Sequence, residues 1–175
     1  MKEIDWDEAL TRRGIKLIPH TPAPGESYWK LVEAHYWREK EHIFVRTLGE
    51  DGQPMAGAQV RFWWGEGRGD QATVKTTEVK PEWWMADYPM YAAGWSYSVE
   101  MLGHPSDRVT GLGLGTPEQP DWKIHVSWKL TFQLVKAGVL EEPDQREIVP
   151  VSLYWDGVDL RFGLDGVTHK VALKE

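Results

Sequence analysis

In "KIHVSWKLTFQLV", the most regular stretch of the chain, Ile124, Val126, Trp128, Leu130, Phe132 and Leu134 take every second position. Lys123, His125, Ser127, Lys129, Thr131 and Gln133 fill the positions between them. Successive side chains of a strand point to opposite faces, so this alternation predicts a long strand with one buried and one wetted face. "GAQVRFWW" repeats the pattern, with Ala58, Val60, Phe62 and Trp64 inward and Gln59, Arg61 and Trp63 outward. "GWSYSVEM" does so again with Trp95, Tyr97, Val99 and Met101. Further strands are expected at residues 28–37, 42–48, 72–79, 149–155, 158–164 and 167–173. Short strands at this spacing, divided by turn residues, predict an all-β, mainly antiparallel β-sandwich of Ig-like or prealbumin-like type.

The punctuation between strands agrees. Asp51-Gly52 lies between "IFVRT" and "AGAQV" and reads as a hairpin turn, as do Asp156-Gly157 and Asp165-Gly166. Helix is scarce: "DWDEALTRRG" is the one candidate, with Asp5 as its expected N-cap and Gly14 as its stop. Residues 18–27, "IPHTPAPGES", read as a linker, and a second break falls at residues 136–150, "KAGVLEEPDQREIVP". The expected organisation is an N-terminal arm and linker at 1–27, a sandwich at 28–135, and a C-terminal β-hairpin extension at 136–175. That extension adds to a sheet or begins another module.

Bulk properties narrow the function classes. A chain of 175 residues suits one domain with a small appendage. Its 20 Lys and Arg against 27 Asp and Glu give a net charge of -7, opposite to what a nucleic-acid backbone attracts. No apolar run of about 18 residues exists, so no membrane span is expected. "MKEIDWDEAL" lacks the apolar segment of a signal peptide. The expected location is extracellular or the cell surface if the chain is a piece of a longer exported protein, and is otherwise undetermined. Cysteine is absent, which removes disulfides, thiolate catalysis and Cys-type zinc sites. Asparagine is absent too, a pairing that fits a thermostable protein.

Three glycines in "GLGLGTPEQPDWKIHVSW", at 111, 113 and 115, raise the question of a phosphate loop. Such a loop presents its backbone N–H groups at the start of a helix. Here a strand follows instead, with no Lys-Ser/Thr ending, so the glycines are expected to permit a bulged or closely approached strand edge. Pro117 and Pro120 would stiffen the turn after them.

"VRTLGEDGQPMAGAQVRFWW", residues 45–64, resembles the opening hairpin of carboxypeptidase-regulatory-like (transthyretin-like, Cna-B-like) sandwich domains. The run from "YPMYAAGWSYSVEM" through "PSDRVTGLGLGTPEQPDWKIHVSWKLTFQ" is similar to β-sandwich modules of bacterial extracellular proteins that sit beside glycoside hydrolase or cell-wall hydrolase domains. Together the resemblances cover residues 28–135. The first implies the sandwich fold, and the second implies a non-catalytic accessory role.

Catalytic constellations are weak. The six His, at 20, 35, 42, 104, 125 and 169, include no pair at metal-ligating i, i+2 or i, i+4 spacing, although His35 and His42 could meet across a hairpin. Ser106 lies beside His104 and Asp107, but neighbours on one loop do not reproduce a triad, and a turn is expected there. Glu78, Glu82 and Asp87 could supply paired carboxylates for glycoside hydrolysis, which depends on a separation that sequence does not measure. The expectation is no enzyme, no cofactor and no metal.

Aromatics carry the functional hint. Of 11 Trp, Trp83, Trp84 and Trp95 crowd with Tyr88 and Tyr91 into residues 80–95, and Trp63 points outward from its strand. Flat exposed rings stack on sugar faces while neighbouring polar groups bond hydroxyls. Packed rings would instead fill the core and lid the sandwich. The first reading is a carbohydrate- or cell-wall-binding module, with Trp63, Trp83, Trp84, Tyr88 and Tyr91 as platforms and Arg61, Glu82 and Asp87 as polar readers. The alternative is a structural or assembly module, a spacer or particle subunit, whose aromatics serve core and protein contacts.

Overall fold

The computed structural model of the protein describes residues 4–38, 40–65, 71–92, 97–116, 118–119, 121–138, 152–155, 160–164 and 167–171. Trp95, Pro117, Pro120 and the Asp-Gly turns at 156–157 and 165–166 lie outside the described residues. The chain divides into two compact units, Met1–Gly138 and Val139–Glu175.

The larger unit runs β1 (Asp5–Trp6), α1 (Glu8–Arg13), β2 (Lys16–Ile18), β3 (Ser27–Trp37), β4 (His42–Leu48), β5 (Gln59–Trp64), β6 (Ala72–Thr76), β7 (Ala86–Pro89), β8 (Tyr97–Met101), β9 (Arg108–Leu112) and β10 (Ser127–Lys136). These strands form two five-stranded sheets, sheet A in the order β1-β3-β10-β4-β7 and sheet B in the order β2-β9-β8-β5-β6. The pairs β1/β3 and β10/β4 are parallel. The others are antiparallel. The protein is thus an all-β sandwich with a short N-terminal helix. In the smaller unit, β11 (Ser152–Trp155), β12 (Leu160–Leu164) and β13 (Val167–Val171) form a separate antiparallel sheet in chain order.

Alternation decides the inward faces. Val126, Trp128, Leu130 and Phe132 are fully buried in the core with Val60, Phe62, Val99 and Met101 from the other sheet. Two outward positions of β10, Ser127 and Thr131, are buried as well, against the expectation of a wetted face. The reason is placement: β10 lies between β3 and β4, and its small outward residues are covered by neighbours. Thr131 Oγ1 donates to Glu33 Oε2 at 2.7 Å, and the Ser127 hydroxyl bonds the backbone of Lys40.

The helix begins two residues later than the sequence suggests. Asp7, not Asp5, is the N-cap: it accepts from the Ala9 N–H at 2.9 Å and, with its other oxygen, from the Tyr36 N–H at 3.2 Å. Asp5 is instead in β1, whose pairing with β3 draws the chain into sheet A. Together with β2 against β9, this builds residues 5–18, expected as part of an arm, into both sheets. Gly14 ends the helix in the left-handed region at φ 83°, as expected of a glycine C-cap.

Gly111 answers the question its neighbours raised. It occupies the bulge where β9 shifts register against β8, at φ 85°. A Cβ there would stand 3.3 Å from the Gly14 carbonyl oxygen, so glycine is needed for both conformation and approach. The Asp51-Gly52 turn forms too, with Asp51 accepting from the Gln53 N–H at 2.9 Å. It closes a short antiparallel ladder, with the Gly49 N–H donating to the Gln53 carbonyl at 2.8 Å, the Met55 N–H to the Thr47 carbonyl at 2.9 Å, and Leu48 opposite Pro54. Beyond it the chain changes layer, β4 lying in sheet A and β5 in sheet B.

Candidate functional site

Strand parity sorts the aromatic side chains onto different faces. On β4, Ile43 and Val45 enter the core, leaving His42, Phe44 and Arg46 on the outer face of sheet A. Phe44 is nevertheless only 1% exposed. Three rings cover it: Trp84 at 4.5 Å, Trp37 at 5.8 Å and the His42 imidazole, nearly parallel, at 5.5 Å. Trp84 is therefore a lid over an outward phenylalanine, with the Lys40 ammonium 5.4 Å from its ring.

Trp83 lies on the same face, over β4 and the central strand β10. Lys129 from β10 stands between two indoles, 3.5 Å from the Trp37 ring and 5.6 Å from that of Trp83, while the Arg46 guanidinium is 6.0 Å from Trp83. Cations over indole rings at such distances contribute about 0.5–1 kcal/mol each at exposed sites. Beside Trp83 opens a hollow of about 230 Å3, walled by its ring with Arg46, Lys80, Glu82, Pro54 and Val79. Asp87, on β7, faces this side of the sheet and is held by His42 at 3.5 Å and Lys80 at 3.6 Å.

The remaining expected platform residues lie elsewhere. Trp63 is on the outer face of sheet B, next to Arg61 at 5.0 Å and Arg108 at 5.5 Å. Glu100 bridges both arginines at 3.3 Å, so Arg61 serves this closed cluster rather than a shared site with Trp83. Tyr88 faces the sandwich interior, packed at 5.4 Å on Phe62, 5.7 Å on Trp64 and 5.9 Å on Tyr97. Burial pushes its phenol pKa up, with Tyr97 and Tyr91 adding to the effect. Tyr91 is 69% exposed on the loop after β7. The eight residues singled out from the sequence therefore do not form one row: Trp83, Trp84, Glu82 and Asp87 come together, and Trp63, Arg61, Tyr88 and Tyr91 do not join them.

Sequence reading also passed over three residues. Trp37 shares the outward parity of His35 on β3, and Lys129 the outward parity of β10; both signals were present in the alternation. Trp122 is 61% exposed in the loop before β10. Its proline-flanked segment "QPDWKI" offers no period from which exposure could be read.

The other chemical candidates resolve into structural roles. Asp107 is buried and accepts from the His20 N–H and the Leu31 N–H, each at 2.8 Å. Ser106 accepts from the Met101 N–H at 3.0 Å and donates to the Asp107 carbonyl at 2.6 Å, so the "HPSD" segment is a turn, as expected. β10 separates β3 from β4, so His35 and His42 do not meet across a hairpin. Each pairs with a carboxylate instead, His35 with Asp5 at 3.1 Å and His42 with Asp87. Among the described residues no group of three or more His, Asp or Glu could hold a metal ion.

His42 gives this face a pH response. Its Nδ1 is buried without a hydrogen-bond partner, so a proton added there has no acceptor. Burial lowers its pKa below the usual imidazole value, Asp87 and Glu41 pull it up, and Lys40 and Lys75 push it down. The unfolded chain therefore binds a proton more readily than the fold does, and the neutral ring stabilises the protein above about pH 6.5. That contribution is lost as pH falls below this value toward the depressed one. We expect chemical denaturation at pH 7 and pH 5 to show a smaller acid-induced loss in His42→Gln than in the wild type. An equal loss in both proteins would count against this role.

The chain matches no protein-family model, no curated protein and no solved structure. The resemblance of residues 45–64 to carboxypeptidase-regulatory-like domains thus rests on the motif alone. Among the described residues no helix is long and apolar enough to cross a membrane.

Proposed function

We propose that the unit Met1–Gly138 is a non-catalytic module that binds a carbohydrate or cell-wall glycan on the outer face of sheet A. The observation that carries this reading is the hollow beside Trp83, where one indole wall meets Arg46, Lys80 and Glu82. An aromatic wall takes the apolar face of a sugar, and groups that both donate and accept serve its hydroxyls. At about 230 Å3 the hollow is smaller than the usual pocket for a drug-sized molecule, roughly 300–1,000 Å3. It suits one sugar unit of a longer polymer.

The test is retention of the full chain on insoluble cellulose, chitin and peptidoglycan, with Trp83→Ala and Trp84→Ala beside the wild type. Trp83→Ala is expected to weaken retention about tenfold or more, a loss of roughly 1.4 kcal/mol, with the melting temperature little changed. Trp84→Ala uncovers Phe44, so its expected effect is a stability loss of about 2–3 kcal/mol. Undiminished retention of Trp83→Ala, or no retention of the wild type on any polymer, would sink the reading.

An assembly role draws support from a different feature. The edge strands of sheet B, β2 and β6, carry the exposed Ile18 and Val74. Unpaired strand edges with apolar residues accept further strands. Discrete oligomers in light scattering, together with no polymer retention, would favour this reading.

A further inference from the structure

A second depression lies on the same face of sheet A, and it is larger. It holds about 840 Å3 over β3, β10 and the end of β4, with Tyr28, Val32, Leu48 and Val135 as its apolar lining. Its charged groups are Asp5, Lys30, Glu33 and Lys136. Two anions and two cations cancel, so the groove has no formal preference for a charged ligand. Several of its polar groups are already held: Asp5 by His35, Glu33 by Thr131, and Gln133 by the carbonyls of Gly49 and Glu50. An apolar floor ringed by balanced charges favours a neutral ligand over a charged one.

The groove and the Trp83 hollow draw on successive outward positions of β4. Leu48 lines the groove and Arg46 the hollow, and both point to the outer face of β4. Two residues along a strand span about 6.6 Å, a short step for a polymer. The loop after β4 borders both depressions, Gly52 at the groove and Pro54 at the hollow.

We infer that the two depressions form one continuous site for a neutral glycan chain, held along its length: one sugar unit stacks on Trp83 and the following units lie in the groove over β3 and β10. This inference rests on the glycan reading of the Trp83 hollow and adds that the ligand is an extended chain rather than a single sugar or a chain end.

Calorimetric titration with β-1,4-linked oligomers of glucose and of N-acetylglucosamine, from two to six units, tests it. The wild type is expected to bind the hexamer about tenfold more tightly than the dimer. Val135→Glu, which fills the groove from an outward position of β10, should bring hexamer affinity down to the level of the dimer. Val32→Gln, on the neighbouring strand β3, should do the same, and an unchanged urea midpoint identifies whichever variant retains its fold. If wild-type dimer and hexamer bind equally, or if a folded groove variant retains the full gain with length, the extended site is overturned while glycan binding at Trp83 stands. If no oligomer binds and no polymer retains the protein, the glycan reading itself fails.

Discussion

Trp128→Ala is expected to be the most damaging single substitution in the sandwich, costing about 5 kcal/mol. Trp128 is fully buried on the central strand of sheet A, tilted against Tyr36 at 5.7 Å. Truncating a buried Trp leaves a cavity that costs about 3–5 kcal/mol. Its Nε1 also donates to the Gly113 carbonyl at 2.9 Å. Gly113 is itself buried, so losing the indole leaves that carbonyl without its donor, at a further cost of about 1 kcal/mol or more. A domain stable by only about 5–15 kcal/mol loses a large part of its margin. Trp128→Phe separates the two contributions, because it keeps most of the volume and loses the hydrogen bond; its expected cost is about 1–2 kcal/mol. Urea unfolding measures both, and a loss below about 2 kcal/mol for the alanine variant would overturn the assignment.

Asp107→Ala is expected to cost about 3 kcal/mol of stability. Its carboxylate accepts two backbone N–H groups from separate parts of the chain, His20 in the linker and Leu31 in β3. Hydrogen bonds to a charged acceptor contribute about 1.5–3 kcal/mol each, partly offset here by release of a buried charge. Asp107→Asn retains one acceptor oxygen and turns an NH2 group toward the other N–H, so it should lose about half as much. Equal stability of the wild type and the alanine variant in the same urea titration would argue that water replaces the carboxylate.

Asp107 and Trp128 also mark two different limits of sequence reading. Trp128 was legible as a core residue because six apolar positions alternate around it. Asp107 looked like one member of a weak Ser-His-Asp neighbourhood, since nothing local reveals that its acceptors face His20 and Leu31, 87 and 76 residues away. Strands β1, β2, β7 and β9 are not among the expected strands: the first three span two, three and four residues, too short to display a period, and in β9 the alternation is broken by the bulge at Gly111. The Asp51-Gly52 turn closes a short hairpin ladder, as its chemistry implies, but the next full strand, β5, joins the other sheet, because turn chemistry sets a local reversal and not the sheet that receives the chain after it.

The amino-acid sequence by itself determined the parity of the long strands, the residues that enter the core, and the glycine required at the β9 bulge. These follow from local physics: a two-residue side-chain period and the restricted conformations of residues with a Cβ. Only the tertiary structure decided where the outward aromatics meet. Trp83, Trp84 and Trp37 share the outer face of sheet A, Trp63 lies on sheet B, and Tyr88 turns inward, because β4, β5 and β7 are distributed between layers by pairings distant along the chain. The same long-range pairing set Lys129 between two indoles. No local pattern carries that information, since it depends on which strands are neighbours and not on the order of residues within any one of them.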